Sequence, residues 1–153
     1  MAATDPDDVP DVIPLLWELT HAMQAMSRHM ERNIGISGPQ RLVMRATQAL
    51  EEPTPGDLAA KLGVHPSTIT GHLDRLVDRG LLDRERRVDD RRSSRLRLTA
   101  AGERLLSARA VTIESVVGGA LAAIPADKRA DADALLRRLA DALRSASGED
   151  LDG

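Results

Sequence analysis

Apolar residues recur at helical spacing near the start of this 153-residue chain. Gaps of three and four residues place them on one face of a helix, and they are Leu16, Leu19, Met23, Met26 and Met30. Ile13, Trp17 and His21 form a second stripe beside the first. The helix is predicted to end between Asn33 and Gly35, because glycine readily adopts the left-handed conformation that terminates helices.

Three further helices are predicted between residues 37 and 80. The first begins at Ser37-Gly38-Pro39, and its inner face is expected to carry Leu42, Val43, Ala46 and Leu50. Thr54 can cap the second, followed by a proline and, three residues after the cap, an aspartate. The third begins at Pro66 with a buried stripe of Ile69, Leu73, Leu76 and Val77. The last two helices are joined through LGVHP, which is the sequence pattern of a helix-turn-helix.

After Gly80 the apolar period changes from helical to alternating. The segments LLDRERRV and RLRLT predict two short strands around the polar tip DDRRSS, which together make a hairpin. Leu96 and Leu98 alternate with Arg95 and Arg97. One face of the hairpin can therefore pack while the other faces solvent.

Two more helices are expected after the hairpin. Thr99 can cap a fifth helix over residues 100–124, in which Gly118 and Gly119 each cost roughly 1 kcal/mol relative to alanine and favour a bend or a close helix contact. Pro125 separates a sixth helix, whose apolar residues again follow at gaps of four and three: Ala132, Leu136, Leu139, Leu143 and Ala146. The terminal stripes can form a core within one subunit or between two, and because a chain with no other lobe has little against which to bury them, a two-fold dimer is expected.

The composition narrows the possible chemistry. The chain contains no cysteine, which excludes disulfides, thiolate catalysis and cysteine zinc sites. It has one tryptophan, Trp17, and no tyrosine or phenylalanine, which argues against stacking of single-stranded nucleic acid on aromatic side chains. His21 and His29 lie eight residues apart on the same helix with no cysteine nearby, so a zinc site is not expected there, and no cofactor is expected either. No pattern typical of a catalytic site is present, and an enzyme is not expected.

The hairpin region holds much of the positive charge. Residues 84–97 contain seven arginines and three acids, whereas the whole chain has 21 basic residues and a net charge of −3. One electropositive surface on an otherwise acidic body favours an anionic partner. The acidic, proline-containing N-terminus and the lack of a long apolar run favour a cytoplasmic location and no membrane partner.

Two segments carry a resemblance to a known family. They are LAAKLGVHPSTITGHLDRLVDRGLLDR (58–84) and DDRRSSRLRLTAAG (89–102), the second with an acid-x-arginine pair followed by Leu-Thr-x-x-Gly. In this order they resemble the MarR (multiple antibiotic resistance regulator) family, over residues 12–146. The resemblance implies a mainly α fold: a winged helix-turn-helix with a small β-hairpin wing, and a helical dimerisation lobe from the N- and C-terminal helices.

The predicted domain organisation follows from these elements. Residues 37–99 are assigned to the winged helix-turn-helix DNA-binding region, and residues 10–36 and 100–146 to the helical dimerisation lobe. Residues 1–9 are predicted to be an acidic disordered tail, and residues 147–153 a polar tail.

The resemblance implies a homodimeric transcriptional regulator that binds double-stranded DNA, most simply a repressor on a pseudo-palindromic operator that a small-molecule effector releases. Ser67, Thr68, Thr70 and Arg75 match the family's recognition helix, and Asp90 and Arg92 match its wing signature. Gly71 and His72 stand where many members have an arginine and a leucine, and His72 could supply a donor or acceptor there. Arg91 at the hairpin tip and Arg86 in its stem complete the candidate DNA contacts.

Relatives in this family often bind small, aromatic anions between the dimer lobe and the winged helix. Trp17, His21 and Met44 are therefore candidate contacts to a small aromatic or amphipathic effector. A methionine stripe at helical spacing is equally typical of a hydrophobic core. Two alternatives stay open: a DNA-binding protein without an effector, and a winged helix used for contacts with other proteins.

Overall fold

A computed structural model describes residues 12–86 and 94–148 of the chain. Within these ranges the chain forms helices and one pair of strands, so the mainly helical fold expected from the sequence is confirmed. The helices are α1 (Ile13–Ile34), α2 (Gly38–Leu50), α3 (Pro55–Leu62), α4 (Pro66–Asp78), α5 (Ala100–Ser107), α6 (Ile113–Ala122) and α7 (Ala126–Ser147). The strands are β1 (Leu82–Arg86) and β2 (Ser94–Leu98).

The helix boundaries follow local chemistry. α1 ends at Gly35, whose φ of +78° lies in the left-handed region. Ser37 forms a capping box with Gln40 at the start of α2, and Thr54 forms one with Asp57 at the start of α3. These caps satisfy backbone N–H groups that a helix start otherwise leaves unpaired.

The two strands form an antiparallel hairpin packed against the helix-turn-helix. Leu82 lies opposite Leu98, and Arg84 lies opposite Leu96. Leu82 and Leu96 are buried in the core. The backbone N–H of Leu96 also donates to the Pro53 carbonyl at 2.9 Å, which fixes the hairpin against the loop before α3.

The hydrophobic core lies between α2, α3, α4, the hairpin and α5. Its buried members are Ile36, Val43, Met44, Ala46, Leu58, Ala59, Ile69, Leu73, Leu76, Leu81, Leu82, Leu96 and Leu106. Burial of these aliphatic side chains is the main favourable contribution to the stability of the winged region. It includes the stripe predicted for α4, with Val77 packed at its edge.

The inner face predicted for α2 needs one correction. Val43 and Ala46 are buried as predicted, whereas Leu42 is 50% exposed. Leu42 lies on the side of α2 that borders a cavity next to α1 and α4. Met44 and Thr47 are buried in its place, so the inward face of α2 is rotated from the predicted one.

The helix predicted over residues 100–124 is two helices. α5 ends at Ser107, and α6 begins after Thr112, whose hydroxyl accepts a hydrogen bond from the Ser115 backbone N–H. The predicted helix is interrupted here because this capping box starts a new helix. A Cβ on Gly118 or Gly119 would meet nothing within 4 Å in the described structure, so these glycines mark neither the break nor a close contact.

Apolar side chains of α1, α6 and α7 remain exposed on the single chain. They include Ile13, Leu15, Trp17, Leu19, Met23, Val116, Val117, Leu121, Leu135, Leu136 and Leu143. An exposed apolar surface of this extent is typical of a face that packs against another protein. Across the described ranges, no helix is both long enough and apolar enough to span a membrane.

Candidate nucleic-acid interface

The N-terminus of α4 presents polar groups at the surface. The residue before the helix, His65, accepts a hydrogen bond at Nδ1 from the Ser67 backbone N–H at 3.3 Å, and the same ring nitrogen lies 2.8 Å from the Ser67 hydroxyl. Pro66 occupies the first helical position, where its fixed φ suits the helix. A helix start carries partial positive charge, which favours a phosphate group.

The structure brings most of the candidate residues of α4 onto its surface. Ser67, Thr68, Thr70 and Arg75 are exposed, whereas His72 is half-buried. The hydroxyl of Thr70 donates to the carbonyl of Pro66 at 3.1 Å, which holds it along the helix. The exposed side chains near the start of α4 are short, so a DNA backbone can approach this part of the helix closely.

The stem of the hairpin is bonded to α4. Arg84 on β1 donates to Asp74 on α4, with Nη1 3.2 Å from Oδ1. Asp74 lies on the exposed side of the helix, one turn after Thr70. The contact therefore links the stem of the hairpin directly to α4.

Two further stem arginines pair with acids and carbonyls of the fold. Arg97 binds Glu52 through Nε at 3.2 Å and Glu85 through Nη2 at 3.0 Å. Arg95 donates to the Glu52 carbonyl at 3.1 Å and lies 4.0 Å from the Asp57 carboxylate. These side chains anchor the stem to the loop before α3, an arrangement that charge counting along the sequence does not reveal.

The tip of the hairpin lies outside the described residues. The candidate DNA contacts Asp90, Arg91 and Arg92 are in this part of the chain. Arg86 ends β1 and pairs with Ser94 across the sheet, so the stem leads directly toward the tip.

A cavity of about 600 Å³ lies behind α4. Helices α1, α2, α4 and α6 contribute its walls, together with Val64 before α4, and its lining is Met23, Gln24, Ser27, Arg28, Gly38, Pro39, Leu42, Val64, Thr68, His72, Ile113 and Glu114. Its size falls in the range that holds a small organic ligand. Thr68 and His72 belong to the recognition helix, so an occupant would touch that helix directly.

The three residues proposed from the sequence as effector contacts do not line this cavity. Met44 is fully buried in the core of the winged region. Trp17 is 69% exposed on α1, and its ring centroid lies 4.6 Å from that of His21. His21 lies about one helical turn from Gln24, which does line the cavity.

Sequence reasoning missed Arg41 and Glu114. Arg41 is 3% exposed and donates to the carbonyls of Leu105 and Leu106 at 3.4 and 3.1 Å, while its Nε lies 3.2 Å from Glu114 Oε1. In the sequence Glu114 lies two residues after the capping residue Thr112. An acid in the first turn of a helix is common, so the sequence alone gives no reason to assign Glu114 another role. Only the fold brings it to the cavity wall.

The electrostatics of His72 differ from those of a solvent-exposed histidine. Burial lowers its pKa, and the positive charge of Arg75 lowers it further. Its Nδ1 is buried without a hydrogen-bond partner among the described residues. At neutral pH its imidazole is therefore uncharged.

Comparison with known proteins identifies the family. The model of the MarR family matches residues 36–94. The chain also matches the crystal structure of the PcaV transcriptional regulator from Streptomyces coelicolor in complex with its natural ligand, at 34% identity and a TM-score of 0.72, covering 94% of this chain and 99% of that one. The chain belongs to the MarR family.

Other members agree in fold and class. A mutant of E. coli MarR complexed with operator DNA shares the fold at 20% identity and a TM-score of 0.68, over 89% of this MarR-family chain and 99% of the other. The HTH-type transcriptional regulator YdgJ of Bacillus subtilis is 24% identical over 115 residues, which are 75% of this chain and 70% of YdgJ. This MarR-family protein is a DNA-binding transcriptional regulator with a winged-helix fold.

Proposed function

We propose that this regulator is a homodimer that represses transcription from a pseudo-palindromic operator, and that a small molecule in the cavity releases it. The observation that carries the proposal is the exposed start of α4, which lies beside the stem of the hairpin. The stem is joined to α4 by the hydrogen bond from Arg84 to Asp74. An exposed helix start with short hydroxyl side chains suits close contact with DNA. A dimer would present two such helices about one DNA turn apart.

The proposed DNA contacts come from two elements. Ser67, Thr68, Thr70 and Arg75 would meet the major groove, and the hairpin residues Arg86, Arg91 and Arg92 would reach the backbone and minor groove, with Asp90 orienting Arg92. The narrow minor groove concentrates negative potential, which favours an arginine there. His72 lies between the helix surface and the cavity, so it contributes to both sides of the proposal.

The exposed apolar faces of α1, α6 and α7 support the proposed dimer. In the proposed domain organisation, residues 37–99 bind DNA, residues 10–36 and 100–146 form the dimerisation lobe, and residues 1–9 and 147–153 are tails. Leu136 and Leu143 are 53% and 67% exposed on α7 of the single chain. Their burial in a two-fold interface would remove this apolar surface from water.

The cavity supports the proposed response to an effector. Thr68 and His72 of α4 line the cavity, so its occupant would contact the recognition helix. A ligand that binds more tightly to the dimer at one spacing of the two recognition helices would shift the dimer toward that spacing. The ligand-bound PcaV structure supports a small-molecule site in this fold. A ligand that extends along α1 would also approach His21 and Trp17, so the fluorescence of Trp17 would report it.

The proposed function is tested by selecting bound sequences from a random DNA pool. We expect an enriched two-fold site, and an affinity that falls linearly with the logarithm of salt concentration, because phosphate contacts release counterions. Arg75→Ala should weaken binding and reduce the salt dependence, whereas Lys128→Ala on the exposed side of α7 should leave both unchanged. Failure to enrich any site would contradict the DNA-binding assignment of this surface.

Repression is tested separately with a reporter gene downstream of the selected site. Production of the protein should lower expression of the reporter, since a bound dimer blocks the promoter. Increased expression would show activation and overturn the proposed repression without affecting the DNA-binding result.

A further inference from the structure

The walls of the cavity are predominantly hydrocarbon. Five of its lining side chains, Met23, Pro39, Leu42, Val64 and Ile113, are apolar. A ligand in such a site gains free energy mainly by removing its own apolar surface from water. An ionised group on the ligand would lose its hydration without gaining it back from these side chains.

The charged residues of the lining do not favour an anion. Arg28 and Glu114 are the two lining residues with formal charges, and Arg28 is exposed to solvent, where its field is screened. Glu114 is less exposed, and neither of its carboxylate oxygens has a hydrogen-bond partner among the described residues. Its charge is paired with the Arg41 guanidinium, whose Nε lies 3.2 Å from Glu114 Oε1, so a ligand carboxylate near Glu114 would find no free counter-ion there.

Arg41 does not reverse this balance. Its Nε lies 3.2 Å from Glu114 Oε1, and its two Nη atoms donate to the carbonyls of Leu105 and Leu106. The guanidinium is thus held at the end of α5 and its charge is matched by Glu114. His72 adds no positive charge either, because burial and Arg75 lower its pKa.

We propose that the cavity selects an uncharged, predominantly apolar effector, and that Glu114 disfavours aromatic carboxylates of the same shape. The inference rests on the proposed function, in which this cavity holds the effector. It narrows the expectation drawn from the family resemblance, a small aromatic or amphipathic effector, and departs from the small anions that many relatives bind. Glu114 acts here as a specificity-determining residue, through its charge at the wall of the site.

A matched pair of probes tests the proposal on the full-length dimer. 2-Naphthamide and 2-naphthoate have nearly the same shape and differ in charge at pH 7.5. Calorimetric titration should give a Kd for the amide that is at least about tenfold lower than the Kd for the carboxylate. The same samples are titrated with the selected DNA site, so that DNA binding is measured independently of ligand binding.

Three variants locate the effect. Glu114→Gln should strengthen binding of 2-naphthoate by roughly threefold or more, because it leaves the buried Arg41 guanidinium without its counter-charge. Glu31→Gln, an exposed acid of α1 outside the cavity lining, should leave both affinities unchanged. Leu42→Trp should fill the cavity and abolish binding of the amide, while thermal unfolding checks that this variant is folded.

The outcomes separate the two proposals. Equal or tighter binding of 2-naphthoate to the wild-type protein would overturn the charge selection and leave the effector site in place. An unchanged 2-naphthoate affinity in Glu114→Gln would overturn the role of Glu114. If neither probe binds while DNA binding is intact, the inference of an apolar ligand fails. Coverage of the cavity by the partner subunit in the dimer would produce this result. Loss of DNA binding in the wild-type protein would instead contradict the proposed function.

Discussion

Arg84 on the first strand of the wing and Asp74 on the recognition helix form a hydrogen-bonded ion pair, with Nη1 3.2 Å from Oδ1. The pair joins the two elements that the proposed interface uses. Together with the contacts of Arg95 and Arg97, it gives three arginines of the stem partners within the protein. The hairpin residues proposed to contact DNA are Arg86, Arg91 and Arg92.

We predict that removing an arginine of the stem and removing one of the tip have different effects on DNA binding. Arg84→Ala should weaken operator binding by no more than about fivefold, because an exposed ion pair contributes only about 0–1 kcal/mol. Arg92→Ala should weaken it at least about tenfold, as expected for an arginine that reaches the groove. Fluorescence anisotropy with labelled operator measures both, and equal losses would contradict the division between stem and tip.

Gly102 and Gly71 provide a matched pair for stability. A Cβ on Gly102 would clash with the carbonyl oxygen of Leu81, so Gly102→Ala should lower the free energy of unfolding by about 1–3 kcal/mol. A Cβ on Gly71 would meet nothing within 4 Å in the described structure, so Gly71→Ala should raise it by about 0.5–1 kcal/mol. Urea unfolding followed by circular dichroism compares the two, and a stable Gly102→Ala protein would refute the close approach of α5 to Leu81.

The proposed dimer interface is tested on α7. Leu143→Glu should shift the protein from dimer to monomer, because it would bury a charge in the centre of an apolar interface. Arg138→Gln, which changes an exposed polar residue of the same helix, should leave the dimer intact. Sedimentation at micromolar concentration distinguishes the 16.5 kDa chain from its dimer. A wild-type protein that sediments as a monomer would rule the interface out.

The stability of α3 should depend on pH through Asp57. The backbone N–H of Thr54 donates to the Asp57 carboxylate, as does the Thr54 hydroxyl, and together with the charge of Arg95 they hold the pKa of Asp57 below its usual range. Since the folded-state pKa is depressed, the stabilisation is present above the unfolded pKa, about 3.9, and is lost as the pH falls through the folded value.

The corresponding measurement compares wild type with Asp57→Asn across a pH series. The difference in the free energy of unfolding should be largest above about pH 5 and should shrink below about pH 4. Asp78→Asn, at the last residue of α4 and outside this capping box, serves as the control. A difference that does not change with pH would contradict the role of the Asp57 charge.

The family resemblance and most elements follow from local sequence. The caps at Ser37, Thr54 and Thr99, and the stop at Gly35, lie where the sequence predicts them, because a cap depends on residues within one turn. The alternation of Leu96 with Arg95 and Arg97 on β2 and the buried stripe of α4 follow from periodicity for the same reason. The predicted helix over residues 100–124 was wrong because the capping box at Thr112 outweighs the apolar pattern that continues through it.

By itself, the sequence determined the order of the helices, the helix-turn-helix, the wing and the surface that α4 presents, since capping, turn residues and apolar period act between near neighbours. The tertiary structure decided which described arginines of the stem are paired within the protein, because Arg84, Arg95 and Arg97 find their acids and carbonyls on other elements. It also decided that His72 and Glu114 share a cavity wall with Leu42. These residues are distant in sequence, and their meeting depends on how α1, α2, α4 and α6 pack rather than on any local preference.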